Sequence, residues 1–185
     1  MSDTLITKKA IVHALKEVCG TKPFDKISIS DITSACGLNR QTFYYHFQDK
    51  YELLSWIYYN ENFARMTENI SFENWDERIL KMLEIMQAEK AFYCNTLKEQ
   101  EHTFESYLFE MAKALFEEAI EKLDERKHLT AHELEFYAEF YAYGICGVII
   151  SWAQKGMKMT PQSVATHLKK LAKDSERIAS MRAAN

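Results

Sequence analysis

A short segment, residues 40–46, carries an unusual density of side chains that can donate hydrogen bonds or stack as flat rings. Its sequence is RQTFYYH, so a guanidinium, an amide, a hydroxyl, two phenols and an imidazole occur within about two helical turns. These groups act through hydrogen bonds and stacking and do not suggest bond-breaking chemistry. The segment is therefore a candidate recognition surface, provided that neighbouring elements hold it in place.

The residues just before this segment predict a helix, a sharp turn and a second helix. Ser28 and Asp31 form an S-x-x-D pattern, in which each side chain can cap the first turn of a helix. The apolar positions of that helix lie three apart, at Ile29, Ile32 and Ala35. Gly37 can adopt the left-handed conformation that ends a helix, and Asn39 is a good N-cap for the next one. This arrangement is typical of a helix-turn-helix, whose second helix enters the major groove of DNA.

Helix is also predicted along the rest of the chain. Only two prolines and five glycines interrupt the 185 residues, and no stretch alternates as a half-buried strand does. We expect residues 1–6 to fray; the other predicted helices cover 8–19, 50–66, 74–87, 88–97, 103–123, 130–154 and a last one from 160 through 171 toward 178. Thr130 opens a T-x-x-E capping box, and Pro161 suits a first helical position. The predicted fold class is all-α, with about nine helices.

The distribution of charge bears on the kind of partner that the chain can bind. The net charge is -4, which argues weakly against a nucleic-acid ligand. Residues 1–55 hold seven Lys/Arg against six Asp/Glu, whereas the remainder holds 16 against 21. The N-terminal quarter, at +1, is therefore the least anionic part of the chain.

Several other classes of protein do not fit the sequence. No run of 18 uncharged apolar residues occurs, and lysines interrupt the apolar residues near the N-terminus, so we expect no membrane span and no secretion signal. The four cysteines are scattered, as in reduced core positions of a cytoplasmic protein. Hydrolase, zinc-peptidase and P-loop motifs are missing. A helix start at Thr130 separates His128 from His132, so we expect no metal site there. Together with the missing motifs, this leads us to expect no cofactor and no enzymatic activity.

Residues 29–53 resemble the N-terminal signature of the TetR family of bacterial transcription regulators. The signature runs roughly D-I-A-x-x-A-G-(V/I)-S-x-G-T-(F/L)-Y-x-(Y/H)-F-x-x-K-x-x-L. Its matching positions here are Asp31, Ile32, Gly37, Thr42, Phe43, Tyr44, His46, Phe47, Lys50 and Leu53, and the departures are Thr33, Cys36, Asn39 and Gln41. The longer string NRQTFYYHFQDKYELLSWIY resembles a subgroup typified by the activator of bacterial dihydroxyacetone kinase operons.

The resemblance implies a DNA-reading role for the second helix of the motif and a double-stranded operator as its ligand. Arg40 would contact guanine and Gln41 adenine, because their side chains can form paired hydrogen bonds with those base edges. Tyr45 would touch a thymine methyl or the backbone. The positions that would hold phosphates are Thr42, Tyr44, His46 and Lys50.

The resemblance also implies a division of the chain and a homodimer. Residues 1–52 would form the DNA-binding domain, and residues 53–185 the regulatory and dimerisation domain. Residues 136–152 are apolar nearly all round, so one face would meet a second chain. Small residues would allow close approach there: Ala138, Ala142, Gly144, Cys146 and Gly147. In the family, the last two long helices form this contact.

Control of DNA binding would come from a small-molecule inducer or from a partner protein acting on the C-terminal domain. Candidate pocket residues are Tyr59, Phe63, Trp75, Met82, Phe92, Tyr107, Phe140 and Tyr141. A stripe of methionine and aromatic residues at helical spacing also forms ordinary core, and both interpretations stand at this point. The alternative function is an all-helical ligand- or partner-binding module without a DNA role.

Overall fold

Helices account for all regular structure in the part of the chain that is described. The computed structural model describes residues 3–66, 68, 70–71, 73–98, 103–124 and 128–183. The nine helices are α1 (Asp3–Cys19), α2 (Ile29–Ala35), α3 (Arg40–His46), α4 (Lys50–Tyr58, continued by Tyr59–Phe63 and Ala64–Met66), α5 (Trp75–Ala88), α6 (Lys90–Thr96), α7 (Thr103–Leu123), α8 (Ala131–Gln154) and α9 (Pro161–Ala183). The predicted all-α class with about nine helices is confirmed. Among the described helices, none is both long enough and apolar enough to cross a bilayer.

The first helix begins earlier than the sequence predicts. Residues 1–6 were expected to fray, but α1 starts at Asp3 and Thr7 lies within it. A contact in the second turn helps to keep this start helical: the Lys8 ammonium lies 5.1 Å from the ring centroid of Phe47 and 5.5 Å from that of Trp56. Cations over aromatic faces are held by the ring quadrupole, so the start of α1 is tied to the core.

The three N-terminal helices enclose a small core of their own. Ile11 and Leu15 of α1, Ile32 of α2 and Phe43 of α3 are completely buried against one another and the start of α4. A single 3₁₀ turn, Phe24–Lys26, connects α1 to α2 and inserts Phe24 into the same core. We call the segment 19–27 the connector; its apolar side chains Phe24 and Ile27 are both buried.

Helix α4 leads from this N-terminal unit into the rest of the molecule and changes its winding on the way. The turn Tyr59–Phe63 is a π-helix, in which the hydrogen-bonded step is one residue longer than in an α-helix. The buried pair 53/54 is followed by 57/58, four residues on, and then by 62/63, five residues on. The π turn therefore rotates the buried face of the second half of α4 relative to the first half. The sequence predicted residues 50–66 as one regular helix.

The C-terminal part is built around aromatic residues from α4, α6 and α7. The Phe104 ring lies 5.1 Å from both Tyr58 and Phe63, and Tyr58 stacks on Tyr93 at 6.1 Å between centroids. Helices α7 and α8 then form an antiparallel pair, because Phe116 stacks on Tyr141 while the earlier Phe109 meets the later Tyr143. Helix α9 packs mainly on α5, through contacts such as the ion pair Lys169–Asp76.

Candidate nucleic-acid interface

Helix α2 is fixed at its start by the predicted capping box. The Ser28 hydroxyl accepts from the Asp31 backbone N–H at 3.2 Å, and the Asp31 carboxylate accepts from the Ser28 backbone N–H at 2.7 Å. Asp31 also receives the Lys22 ammonium at 2.7 Å. These bonds, that of Lys22 first, lower the pKa of the Asp31 carboxyl well below its usual range, so the cap stays charged at neutral pH.

The turn between α2 and α3 is closed by backbone hydrogen bonds. Leu38 N–H donates to the Thr33 carbonyl at 2.9 Å, and Gly37 N–H donates to the Ser34 carbonyl at 3.4 Å. Gly37 has φ +68°, the left-handed conformation that this kind of helix end requires. The turn therefore sets the angle at which α3 leaves α2.

Helix α3 is held at both ends. The Asn39 side chain accepts from the Thr42 N–H at 2.8 Å and from the Thr42 hydroxyl at 3.1 Å. Phe43 and Phe47 are buried at the inner face, with ring centroids 5.9 Å apart. The opposite face of the helix is left to solvent.

That outer face carries four of the predicted DNA-contacting side chains. Arg40 and Gln41 are exposed, Tyr44 is 50% exposed and Tyr45 is 80% exposed. The Arg40 guanidinium lies near Tyr44, with Nη2 3.3 Å from the tyrosine hydroxyl oxygen. The structure thus brings these side chains together on one accessible strip.

Two further predicted residues lie on the same helix but are less accessible. Thr42 is half-buried, and in this state its hydroxyl proton is used by the Asn39 cap. His46 is half-buried in the last turn, with its ring edge-on to Tyr45 at 5.0 Å. Both flank the exposed strip.

The Lys50 ammonium, which was predicted to contact a phosphate, is surrounded by backbone carbonyls in the structure. Its ammonium donates to the carbonyls of Phe24, Asp25 and Ile27 at 2.7, 3.0 and 3.0 Å. An ammonium has three protons, so these three bonds use all of them. In this structure, Lys50 therefore closes the connector onto the start of α4.

A second side chain holds the connector from the other side. The Asn95 amide of α6 accepts from the Phe24 N–H at 2.9 Å and donates to the Cys19 and Lys22 carbonyls, both at 2.8 Å. One residue of the C-terminal part thus makes three bonds with the N-terminal unit. Sequence reasoning missed Asn95, because its partners are more than 70 residues away in the chain.

Further bonds between the two parts are ionic. Lys16 of α1 pairs with Glu61 in the π turn and with Glu89 just before α6, where the closest oxygen lies at 2.6 Å. The Lys16 side chain is 15% exposed, so solvent screens these pairs less than it would at an open surface. Helix α1 is thereby connected to both elements.

The predicted pocket residues do not surround one cavity. Phe63, Trp75, Met82 and Phe92 are buried in core packing. Tyr59 and Tyr107 contact each other at 5.8 Å and are partly exposed, whereas Tyr141 stacks on Phe116 and Phe140 is 67% exposed on the outside of α8. Trp75 lines only a void of about 10 Å³, and Met82 lines a separate open groove. The buried members therefore pack as ordinary core, which is one of the two interpretations that the sequence leaves open for this set.

The outer face of α8 exposes a row of apolar residues. Its large members, each at least 42% exposed, are Phe136, Tyr137, Phe140, Tyr143 and Val148. Gly144 and Gly147 lie on the same side, and a methyl group added to either would touch nothing within 4 Å. We call this the α8 face. A groove of about 450 Å³ continues it between the end of α8 and α9, with Trp152 and Leu168 among its walls.

Comparisons with known proteins agree with this architecture. Residues 11–56 match a family model described as "Bacterial regulatory proteins, tetR family", and residues 73–174 match one described as "Transcriptional regulator C-terminal region". The chain is 29% identical over 152 residues to the HTH-type dhaKLM operon transcriptional activator DhaS of Lactococcus lactis subsp. lactis (strain IL1403), covering 80% of each chain.

Solved structures show the same fold. A structure of the dihydroxyacetone kinase operon activator DhaS superposes with a TM-score of 0.72 at 26% identity, covering 94% of this chain and 98% of that one. A TetR transcriptional regulator from Streptococcus agalactiae 2603V superposes with a TM-score of 0.63 at 17% identity, covering 91% and 94%.

Proposed function

The chain belongs to the tetR family of bacterial regulatory proteins and is a transcriptional regulator, and on that premise we propose that it binds a specific DNA operator as a homodimer. The observation that carries the proposal is the exposed strip of Arg40, Gln41, Tyr44 and Tyr45 on a short helix. Large side chains with hydrogen-bonding ends have no role in the packing there, and a short helix of this kind fits the major groove.

We assign base reading to the N-terminal end of α3 and positioning to its flanks. Arg40 suits the O6 and N7 atoms of guanine, and Gln41 suits the N6 and N7 atoms of adenine. Tyr45 is placed for a thymine methyl or the sugar-phosphate backbone. Thr42, Tyr44 and His46 bind phosphates once α3 is in the groove, with the Thr42 hydroxyl turning from Asn39 to a phosphate oxygen.

The α8 face supports the homodimer. A row of exposed large apolar residues is costly in water, and exposed glycines beside it permit close helix approach. Residues of α9 line the adjoining groove, so we propose that the last two long helices of one chain pack against the same helices of a second. Two recognition helices related by a twofold axis address half-sites about 34–36 Å apart, or a multiple of that spacing.

We divide the chain within α4, with residues 1–52 binding DNA and residues 53–185 dimerising and receiving a signal. The signal is a small molecule or a partner protein acting on the C-terminal domain. Asn95 and Lys16 give that domain direct bonds to the connector and to α1, which supports transmission between them. The DhaS proteins named above are described as activators, and in vitro transcription from the operator-bearing promoter decides whether this chain activates or represses.

The test is a gel-shift titration of DNA from upstream of its own gene against a shuffled duplex of equal length. We expect a shift of the upstream DNA at concentrations at least tenfold lower than those needed for the shuffled duplex. Equal binding to both, or binding to neither, would contradict an operator within that DNA. Selection from a randomised duplex library then separates the remaining cases, since failure to enrich any sequence favours an all-helical ligand- or partner-binding module.

A further inference from the structure

The π turn of α4 buries a polar side chain whose hydrogen bonding is incomplete. Asn62 is 2% exposed and lies among apolar core residues. Its Nδ2 donates to the Tyr93 hydroxyl oxygen at 2.5 Å, whereas its Oδ1 has no hydrogen-bond partner among the described residues. Exchanging the two ends of the amide would leave the nitrogen unpaired instead, so either orientation lacks a bond.

This arrangement is unfavourable for folding. Burying an unpaired amide atom loses a hydrogen bond to water, and a leucine of similar size would avoid that loss. The π turn adds to the cost, because it is the longer step that brings position 62 to the inside. Such features concentrate at functional sites, where an external ligand supplies the missing partner.

Asn62 contributes to the wall of an open groove between the second half of α4 and α5, and its unpaired Oδ1 lies just behind that wall, shielded from solvent. The groove has a volume of about 700 Å³, within the range of small-molecule sites. Besides Asn62, its walls include Met66, Met82 and Ile85 as apolar surface, and Arg78 and Lys81 as cations.

The charges around the groove are not equally available. Three carboxylates line the groove: Glu61 is paired with Lys16, Glu84 accepts a hydrogen bond from the neutral Gln162 amide at 2.9 Å, and Glu68 is exposed. Among the described residues, neither the Arg78 nor the Lys81 side chain has an ion-pair or hydrogen-bond partner. The two cations are three residues apart on α5 and therefore lie on one side of the helix. These two cations favour an anionic group on the α5 side of the groove, whereas Glu68, which follows α4 in the chain, opposes one.

We propose that this groove binds a small organic acid, whose anionic group pairs with Arg78 and Lys81 and whose polar body hydrogen-bonds to Asn62. Burial raises the pKa of the Tyr93 hydroxyl far above its usual range, so this neighbour stays neutral and does not repel an acid. The wall formed by Met66, Met82 and Ile85 covers the apolar part of the ligand.

The position of the groove connects it to DNA binding. Glu61 directly precedes Asn62 in the π turn and bonds to Lys16 of α1. A ligand that completes the bonds of Asn62 changes the stability of that turn and therefore the contact with α1. This regulatory step rests on the proposed function, whereas binding of the acid itself does not.

The test uses the purified full-length chain and a fixed set of probes: lactate, succinate, citrate, benzoate and 3-phosphoglycerate, with succinamide and glycerol as uncharged controls. Calorimetric titration should show at least one acid with a Kd below about 1 mM and no binding of the uncharged compounds. Arg78→Gln and Asn62→Leu should each weaken that acid about tenfold or more, because each removes one of its polar contacts. Lys173→Gln, which changes an exposed lysine of α9, should bind it as the original chain does.

A second measurement separates a ligand contact from a structural role. Without ligand, Asn62→Leu should melt at the same temperature as the original chain or higher, because the unpaired amide is gone. A lower melting temperature, no binding of any acid, or unchanged acid affinity in both groove variants would overturn the proposal. A gel shift on the same samples keeps the two proposals apart: operator binding without acid binding rejects only this one, and acid binding without operator binding rejects only the proposed function.

Discussion

Arg40 differs from its neighbours on α3 in the chemistry that it offers to a base pair. Its guanidinium can donate two parallel bonds to guanine, whereas the contacts that we propose for Thr42 and His46 are with phosphates, which carry no sequence information. In the free chain the guanidinium rests beside the exposed Tyr44 hydroxyl, so it is available without breaking core packing. Loss of Arg40 should therefore reduce sequence specificity more than it reduces the general affinity for DNA.

Replacing Arg40 by alanine should weaken operator binding by about 1–3 kcal/mol and reduce discrimination against a changed guanine. Affinity for unrelated DNA should fall less. Fluorescence anisotropy with the operator and with single-base variants measures both effects. Lys9→Ala, an exposed cation of α1, is the matched control; an equal loss of specificity in both variants would contradict base reading by Arg40.

If the three carbonyl bonds of Lys50 are its main role, replacing Lys50 should affect stability. If Lys50 contacts a phosphate, as the sequence predicts, the replacement should affect DNA binding instead. Lys50→Met keeps the aliphatic stem and removes the ammonium, so the free energy of unfolding should fall by about 2 kcal/mol. Urea denaturation measures this change. The dependence of operator affinity on salt should stay close to that of the original chain, whereas a lost phosphate contact would lower the slope by about 1. Unchanged stability with a lowered slope would restore the phosphate role.

At the scale of single elements, the start and end of each motif helix follow from local sequence. Ser28 with Asp31, Asn39 and Thr130 were each predicted as caps from their type and position, and each side chain accepts a backbone N–H as expected. Asp49 caps the start of α4 in the same way. Caps bond within three residues, so the rest of the fold scarcely affects them. The π turn was not predicted, because the five-residue step results from how α4 packs against two parts of the molecule at once.

Gly37 provides a test of the turn between α2 and α3. Gly37→Ala should lower the free energy of unfolding by about 1–2 kcal/mol, since an added methyl group meets no atom but the left-handed backbone disfavours it. Gly156→Ala, at φ +80° after α8, should cost a similar amount. Only the change at Gly37 should weaken operator binding, because that turn orients α3. Calorimetric melting and gel shifts measure the two effects; equal operator affinity in both variants would contradict this role.

At the scale of the whole molecule, coupling between the two parts depends on few side chains. Asn95→Ala removes three bonds to the connector, so amide hydrogen exchange over residues 19–27 should speed up by about tenfold or more. In the original chain, saturating operator DNA should also slow exchange in α6, because linkage acts in both directions. In the variant that slowing should become weaker without vanishing, since the Lys16–Glu89 pair still connects α1 to the start of α6. Asn60→Ala removes one bond within α4 and serves as the control. Undiminished slowing of α6 exchange in Asn95→Ala would contradict coupling through this residue.

The proposed dimer makes an equally specific prediction. Phe140→Glu places a carboxylate on the α8 face, where it would be buried without a partner, so the dimer Kd should rise at least about a hundredfold, on the order of 3 kcal/mol. Sedimentation equilibrium at several concentrations measures the change. Ile6→Glu alters a similarly exposed residue of α1 and should leave association unchanged. A monomeric original chain at micromolar concentration, or an unaffected Phe140→Glu dimer, would contradict the interface.

The amino-acid sequence alone determined the helical class, the caps, the buried stripes and the recognition motif. Each of these depends on residues within about one or two turns of one another, as Asn39 with Thr42 or Phe43 with Phe47. The tertiary structure alone decided which polar groups meet across long separations: Lys50 with the connector, Asn95 with Phe24 and Asn62 with Tyr93. It also decided that the buried candidate pocket residues pack as core and do not surround one cavity. Sequence periodicity tells which face of a helix is apolar, but the neighbour that the face meets depends on how all the helices pack together.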